Sequence, residues 1–262
     1  MTSPVETSLD GRVFRIALNR PEKKNALSFE LCHRLADEVE RAGDDPKIGC
    51  ILVEARGDVF CAGMDLSETL QFGHDGGDSR DLAGVHERLF TLGMRISKPI
   101  VAAVTGPALG GGVGLIANAH VVVSAHGCTF GLTEIRVGMW PYFIWRSVVN
   151  AIGERRTLAL ALTGRIFSAN EALQWGLVHE VAPAFEVDDR ATATAEHLAS
   201  SAADAMRLGL TFAREIRHAA SDEAAELTSS FREEAMASDD FREGVAAFRE
   251  KRKPSWHRRE PS

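Results

Sequence analysis

Gly110, Gly111 and Gly112 stand together in the segment Thr105-Gly106-Pro107-Ala108-Leu109-Gly110-Gly111-Gly112-Val113-Gly114. A strand-like stretch precedes them and a short helical one follows. Without side chains, their N–H groups are open to close approach by a ligand. The helix start behind them adds unpaired amides and the positive end of its dipole. Such a turn suits a phosphate or a developing oxyanion. The phosphate alternative fits less well. A dinucleotide fingerprint needs Gly-x-Gly-x-x-Gly, and Gly112-x-Gly114 is followed by Ala117 where the third glycine belongs. Glu134 has the spacing of a ribose-binding acid but does not end the next apparent strand. The lysine of a phosphate-binding P-loop is also missing. By itself, a triple-glycine turn more often serves only as a tight turn.

A second small-residue turn, Phe60-Cys61-Ala62-Gly63-Met64-Asp65, can present the Met64 N–H outward. Two donors on separate loops are what a thioester enolate requires, because its oxygen needs charge stabilisation that water would otherwise give. His126 and Asp65 are conceivable proton carriers. The simpler expectation is an exposed or structural His126, and an Asp65 that belongs to its turn.

The elements that must position these turns alternate between strand and helix in the first two-thirds of the chain. Residues 12–18 (RVFRIAL), 49–55 (GCILVEA), 98–104 (KPIVAAV) and 120–125 (HVVVSA) read as strands. Ser28 is a predicted N-cap for a helix to about Ala42, with Leu31, Leu35 and Val39 at four-residue spacing. Residues 71–80 (QFGHDGGDSR) are Gly- and Asp-rich, which predicts a mobile loop before a helix over 81–96. After Pro141 the pattern turns predominantly helical, and residues 187–250 carry no strand signal. An α/β core followed by a helical region is the expected fold class.

Composition narrows the function classes. The chain has 262 residues, 45% apolar and 26% charged, the balance of a globular enzyme. No apolar run approaches the roughly 20 residues that span a bilayer, so no membrane association is expected. The polar, acidic first ten residues lack the pattern of a signal peptide. Cys32, Cys50, Cys61 and Cys128 are scattered, which predicts neither disulfides nor a zinc site, and a cytoplasmic location. A net charge of −7 argues against nucleic acid as a partner. The exception is the basic end, Lys251, Arg252, Lys253, His257, Arg258 and Arg259, which on charge alone is a solvated tail.

Four segments occur in order: Leu18-Asn19-Arg20-Pro21-Glu22-Lys23-Lys24-Asn25-Ala26-Leu27-Ser28, Phe60 to Leu66, Lys98 to Val104 with its triple-glycine turn, and Phe130-Gly131-Leu132-Thr133-Glu134. Together with Ala246-Ala247-Phe248-Arg249-Glu250-Lys251-Arg252 near the end, they resemble the crotonase (enoyl-CoA hydratase/isomerase) superfamily over nearly the whole chain. The resemblance implies a spiral of ββα units with an acyl-CoA site over residues 1–195. A helical trimerisation region over 196–262 would complete a homotrimer or hexamer. It assigns the oxyanion-hole amides to Met64 and Gly111, and CoA contacts to Lys24, Ala26, Leu27, Ala62, Asp65 and Leu66. Phe248 and Lys251 would hold the CoA nucleotide of a neighbouring active site. No metal is implied, and no cofactor beyond the coenzyme A that is part of the substrate.

Hydratases of that family carry two glutamates, of which this chain keeps Glu134 and has Gly114 in place of the other. Adding water to a conjugated double bond divides proton handling between two carboxylates. Moving a double bond from the 3 to the 2 position needs one base, which a desolvated Glu134 can supply. Δ3–Δ2 enoyl-CoA isomerisation is therefore the expected reaction. The alternatives are a hydratase with another second acid/base, decarboxylation of a malonyl-type thioester, and a non-catalytic acyl-CoA- or RNA-binding homologue. No Asp occurs between Ile135 and Ser147, which sets aside the family's dehalogenase chemistry. Trp140, Tyr142, Phe143 and Trp145 are expected to pack in or beneath an acyl pocket.

Overall fold

The computed structural model describes residues 3–68 and 79–258. Nine strands are numbered here in chain order: β1 (Val5–Asp10), β2 (Val13–Leu18), β3 (Cys50–Ala55), β4 (Ile100–Val104), β5 (Ala108–Leu109), β6 (Val121–Ala125), β7 (Thr129–Gly131), β8 (Ile166–Ser168) and β9 (Glu180–Ala182). A six-stranded sheet runs β1-β2-β3-β4-β6-β9, and a small sheet runs β5-β7-β8. Only the β1–β2 hairpin breaks the parallel order of the large sheet. Its central strands are apolar on both faces, and all of β4 is buried. Sequences of that kind need cover on both sides, as parallel sheets have.

Helices supply that cover. α1 (Phe29–Asp44) begins at Ser28, whose hydroxyl accepts the Leu31 N–H at 3.2 Å, as the spacing predicts. Its buried stripe is Leu31, Cys32, Leu35, Ala36, Val39 and Ala42. Then come α2 (Ser79–Leu89), α3 (Leu92–Arg95), α4 (Gly111–Ala117), α5 (Trp145–Ile152), α6 (Glu154–Thr163) and α7 (Ala169–Trp175). α8 (Val187–Ala199) lies against β3, β4 and β6, burying Val187, Ala191, Ala195 and Ala199 at four-residue spacing. α9 (Ala203–Glu215), α10 (Ser221–Ala237) and α11 (Asp239–Glu250) finish the chain.

Several boundaries differ from expectation. The strand expected from Lys98 starts only at Ile100, because Pro99 has no N–H and Lys98 Nζ donates to the Asp45 and Ile48 carbonyls. The helix expected over 81–96 is two helices, α2 and α3. Residues 71–78 of the expected loop, and Arg259 of the basic end, lie outside the described residues. The helical region after Pro141 contains β8 and β9, each three residues long and too short to show alternation. From residue 200 onward, Leu208 and Ala247 are the only buried hydrophobic side chains among the described residues. α10 buries none.

Candidate active site

Two loops, after β3 and after β4, run side by side. The Phe60 N–H donates to the Pro107 carbonyl at 3.0 Å, and the Leu109 N–H to the Cys61 carbonyl at 2.9 Å. On its other side the Cys61–Met64 turn is held by Leu27, which donates to the Gly63 carbonyl at 2.8 Å and accepts from the Asp65 N–H at 3.1 Å. Pairing through Gly63 and Asp65 leaves the intervening Met64 N–H directed away from Leu27, because successive amides of an extended chain point to opposite sides. Among the described residues it meets no acceptor.

The facing turn supplies the second donor. Gly110, at φ +52 and ψ −121, turns the chain into α4, a conformation open to glycine alone. The Gly111 N–H behind it likewise has no acceptor among the described residues. The two turns touch: a Cβ placed on Gly63 would sit 3.6 Å from the Gly111 nitrogen. The Met64 and Gly111 amides, both without acceptors among the described residues, thus lie on adjoining turns.

Glu134 reaches this spot through the small sheet. β7 pairs in parallel with β5, Ala108 opposite Phe130 and Leu109 opposite Gly131, and the Gly110 N–H donates to the Gly131 carbonyl at 2.8 Å. Three residues on, Glu134 opens a 3-10 turn closed by Gly138. Its Oε2 is buried without a hydrogen-bond partner. Burial pushes its carboxyl above the ordinary range, opposed weakly by a bond to its own backbone N–H. A carboxyl group whose charged form burial disfavours, with one oxygen unpartnered, is suited to take up and release a proton.

Met64, Gly111 and Glu134 line one cleft of about 150 Å³. Its walls are apolar, with Leu66, Phe90, Val137, Met139, Trp140 and Ile144 contributing. Ala62 and Leu66 of the expected CoA contacts also line it; Lys24, Ala26, Leu27 and Asp65 do not. Leu27 is buried behind the cleft against Gly111. The exposed Lys24 offers its carbonyl to the Ala62 N–H at 3.0 Å, and the Ala26 carbonyl accepts from Arg20 Nη1 at 2.6 Å. Asp65 pairs with Arg20 at 3.1 Å and accepts from the Ser67 hydroxyl at 2.6 Å. Those bonds, that of Ser67 first, hold its carboxyl below the usual range, so it anchors the turn. Phe248 and Lys251 stand outside this cleft, Phe248 being 85% exposed.

Other candidates fall away on geometry. His126 is exposed and does not line the cleft. Cys61 is buried, and burial pushes its thiol up to about 12, far from a nucleophile. The four cysteines are free. Among the described residues no cluster of His, Cys, Asp and Glu is placed to hold a metal, and no helix is long and apolar enough to cross a membrane. Trp140 and Tyr142 line the cleft, and Trp145 packs on Trp140 with ring centres 5.6 Å apart.

Three residues escaped the sequence reading. Asn25 is fully buried, accepts the Arg20 N–H at 2.8 Å, and donates to the Arg56 and Val59 carbonyls at 2.9 and 2.8 Å. It ties together the loops on either side of the turn. Ile144 and Phe90 close over Gly114: a Cβ there would lie 2.2 Å from Ile144 Cγ2 and 2.9 Å from Phe90 Cε1. The bare Gly114 was the only trace of this contact in the sequence.

Comparison with known proteins identifies the family. The family model described as "Enoyl-CoA hydratase/isomerase" matches residues 9–259. The chain is 32% identical over 255 residues to the enoyl-CoA hydratase EchA19 of Mycobacterium tuberculosis, covering 95% of this chain and 94% of that one. It is 33% identical over 253 residues to the mevalonyl-coenzyme A hydratase sidH of Aspergillus fumigatus, covering 93% and 91%. Among solved structures, an enoyl-CoA hydratase of Mycobacterium smegmatis superposes with a TM-score of 0.91 at 25% identity, covering 97% and 99%. Human enoyl coenzyme A hydratase domain-containing protein 3 gives 0.90 at 26%, covering 97% and 100%. With the fold and the match over nearly the whole chain in agreement, the protein is an enzyme of the enoyl-CoA hydratase/isomerase (crotonase) family.

Proposed function

We propose that the cleft converts a 3-enoyl-CoA thioester to its 2-enoyl isomer. One observation carries this reading: among the described residues the cleft is lined by a single carboxyl group, Glu134, whose Oε2 is buried without a partner, beside two backbone amides without acceptors. The thioester oxygen sits between the Met64 and Gly111 N–H groups. Glu134 takes a proton from C2, the negative charge spreads over the dienolate onto that oxygen, and the same carboxyl returns the proton at C4. The amides stabilise the charge as it develops, and apolar walls strengthen that interaction. Removal and return of one proton need no second acid.

The CoA portion runs over Ala62 and Leu66 toward the loop Lys24–Leu27, with Asp65 supporting the turn, and with Phe248 and Lys251 of a neighbouring copy closing over the nucleotide in a homotrimer or hexamer. The exposed Phe248 supports that arrangement. No cofactor is needed beyond the coenzyme A of the substrate, and the proposed location is the cytoplasm. Hydration of a 2-enoyl-CoA is the second reading, favoured by the names of the relatives. The test supplies 3-enoyl-CoA and 2-enoyl-CoA separately and follows both products. Isomerisation of the first, with little hydration of the second, is the expected result; hydration without isomerisation would overturn it.

A further inference from the structure

We infer that Ile144, backed by Phe90, decides the outcome of the reaction by filling the space where a second proton carrier or an attacking water would stand. This rests on the isomerase reading and deepens it. Ile144 Cγ2 and Cβ lie 2.2 and 2.8 Å from the point that a Cβ on Gly114 would take, and Phe90 Cε1 lies at 2.9 Å. Contacts that short are not tolerated, so no side chain fits at position 114 while Ile144 stays where it is. Both hydrophobic residues are buried, Ile144 at 3% and Phe90 at 2% exposure, and both line the cleft that holds Glu134.

The wall is fixed from behind. The Ile144 carbonyl accepts the Val148 N–H and the Ser147 hydroxyl, each at 3.0 Å, at the start of α5. The Phe90 N–H donates to the His86 carbonyl at 2.9 Å at the end of α2. Two different helices thus press hydrocarbon against the backbone of α4 at the edge of the cleft.

The chemistry follows from what hydrocarbon excludes. In hydration, a water oxygen bonds to C3 of the 2-enoyl thioester, one water proton goes to a base, and C2 gains a proton. That water needs room and polar partners, and an apolar enclosure gives it neither. Isomerisation moves one proton from C2 to C4 through Glu134, and the double bond shifts with no atom added. A dry wall therefore selects return of the proton over addition of water. Ile144 acts as a specificity residue, while Glu134 does the chemistry.

The test compares wild type with Ile144→Ala, with Gly114→Glu, and with the pair Gly114→Glu/Ile144→Gly, which removes both Ile144 contacts and leaves only the Phe90 ring edge at 2.9 Å to turn aside into the space vacated by Ile144. Glycine is an accepted residue at a helix start. The readout is the ratio of 3-hydroxyacyl-CoA formed from 2-enoyl-CoA to isomer formed from 3-enoyl-CoA, with oxygen-18 from water marking true hydration. Folding is checked by circular dichroism. Ile144→Ala should raise the ratio about tenfold, and the pair on the order of a hundredfold, the scale of one added acid/base group. Gly114→Glu alone should not raise it, for want of room. Should the pair not fold, Ile144→Ala alone decides. An unchanged ratio in folded variants of an isomerising wild type overturns the role of Ile144 and leaves the isomerase reading standing. A wild type that does not isomerise 3-enoyl-CoA overturns that reading itself.

Discussion

Glu134 Oε1 lies 3.2 Å from the point that a Cβ on Gly110 would occupy, so the base and the turn carrying the Gly111 amide touch without room for a methyl group. Gly110 also holds a backbone conformation that a side chain resists. Gly110→Ala should cost about 1–3 kcal/mol of stability from that backbone alone. It should also lower kcat, because the carboxyl must give way by a few tenths of an ångström and catalysis is sensitive to such misplacement. Steady-state kinetics beside a thermal melt measures both; an unchanged kcat would show that the contact does not matter.

Replacing the base is the sharper cut. Glu134→Gln keeps the shape and removes the proton acceptor, so kcat should fall by about a hundred- to ten-thousandfold. Binding of a saturated acyl-CoA, measured by calorimetry, should survive. In the wild type, kcat/KM should rise with pH through a midpoint above the ordinary carboxylate range, since burial raises the pKa of Glu134 and only the ionised form accepts a proton. A midpoint at or below that range would assign the profile to another group.

The same burial has a stability consequence of definite sign. Below about pH 4, the unfolded-state pKa, Glu134 is protonated in both states and contributes nothing. As pH rises from there to the raised folded-state pKa, the unfolded chain gives up the proton first, and the folded state loses stability. Glu134→Gln should therefore be more stable than wild type at neutral pH, with the gap closing on acidification. Denaturant unfolding at pH 4 and pH 7 measures this, and a variant less stable at pH 7 would contradict it.

Asn25 offers a test of the scaffold rather than the chemistry. Asn25→Ala leaves the Arg20 N–H and the Arg56 and Val59 carbonyls without their buried partner, and each orphan costs about 1–3 kcal/mol. Asn25→Asp should fare little better, because a carboxylate cannot donate to the two carbonyls. Urea unfolding should show a loss of at least about 3 kcal/mol in either variant. A loss under about 1 kcal/mol would mean that water replaces these bonds.

If Phe248 and Lys251 close over the CoA of a neighbouring copy, the double variant Phe248→Ala/Lys251→Ala should raise KM about tenfold, the equivalent of 1.4 kcal/mol. Its kcat should stay near that of wild type, since neither residue approaches the reacting carbons. Free CoA should weaken as an inhibitor in parallel. A changed kcat with a constant KM would place these residues elsewhere in the cycle.

Legibility in the sequence followed the range of each signal. β3, β4 and β6 were readable because burial on both faces leaves a continuous apolar run, and the Ser28 cap because capping is local. β8 and β9 were hidden by their three-residue length. The amide turns could be found from glycine spacing together with family resemblance. Glu134 lies in a 3-10 turn past the end of β7, in keeping with the expectation that it does not end a strand. Ile144 was not found as a wall. Its contact with Gly114 joins positions thirty residues apart, and only packing brings them together.

The two amides proposed to hold the oxyanion belong to the main chain, fixed by the pairing of Leu27 with Gly63 and of Gly110 with Gly131. The proposed base, Glu134, is a side chain in the 3-10 turn that follows β7, and Ile144 stands at a helix start. On the proposed mechanism, a single side-chain replacement at Glu134 or Ile144 alters where protons and water go while leaving the two amides intact. The scaffold thus separates what makes an enolate affordable from what decides its fate, and new reactions can arise on it without rebuilding the hole.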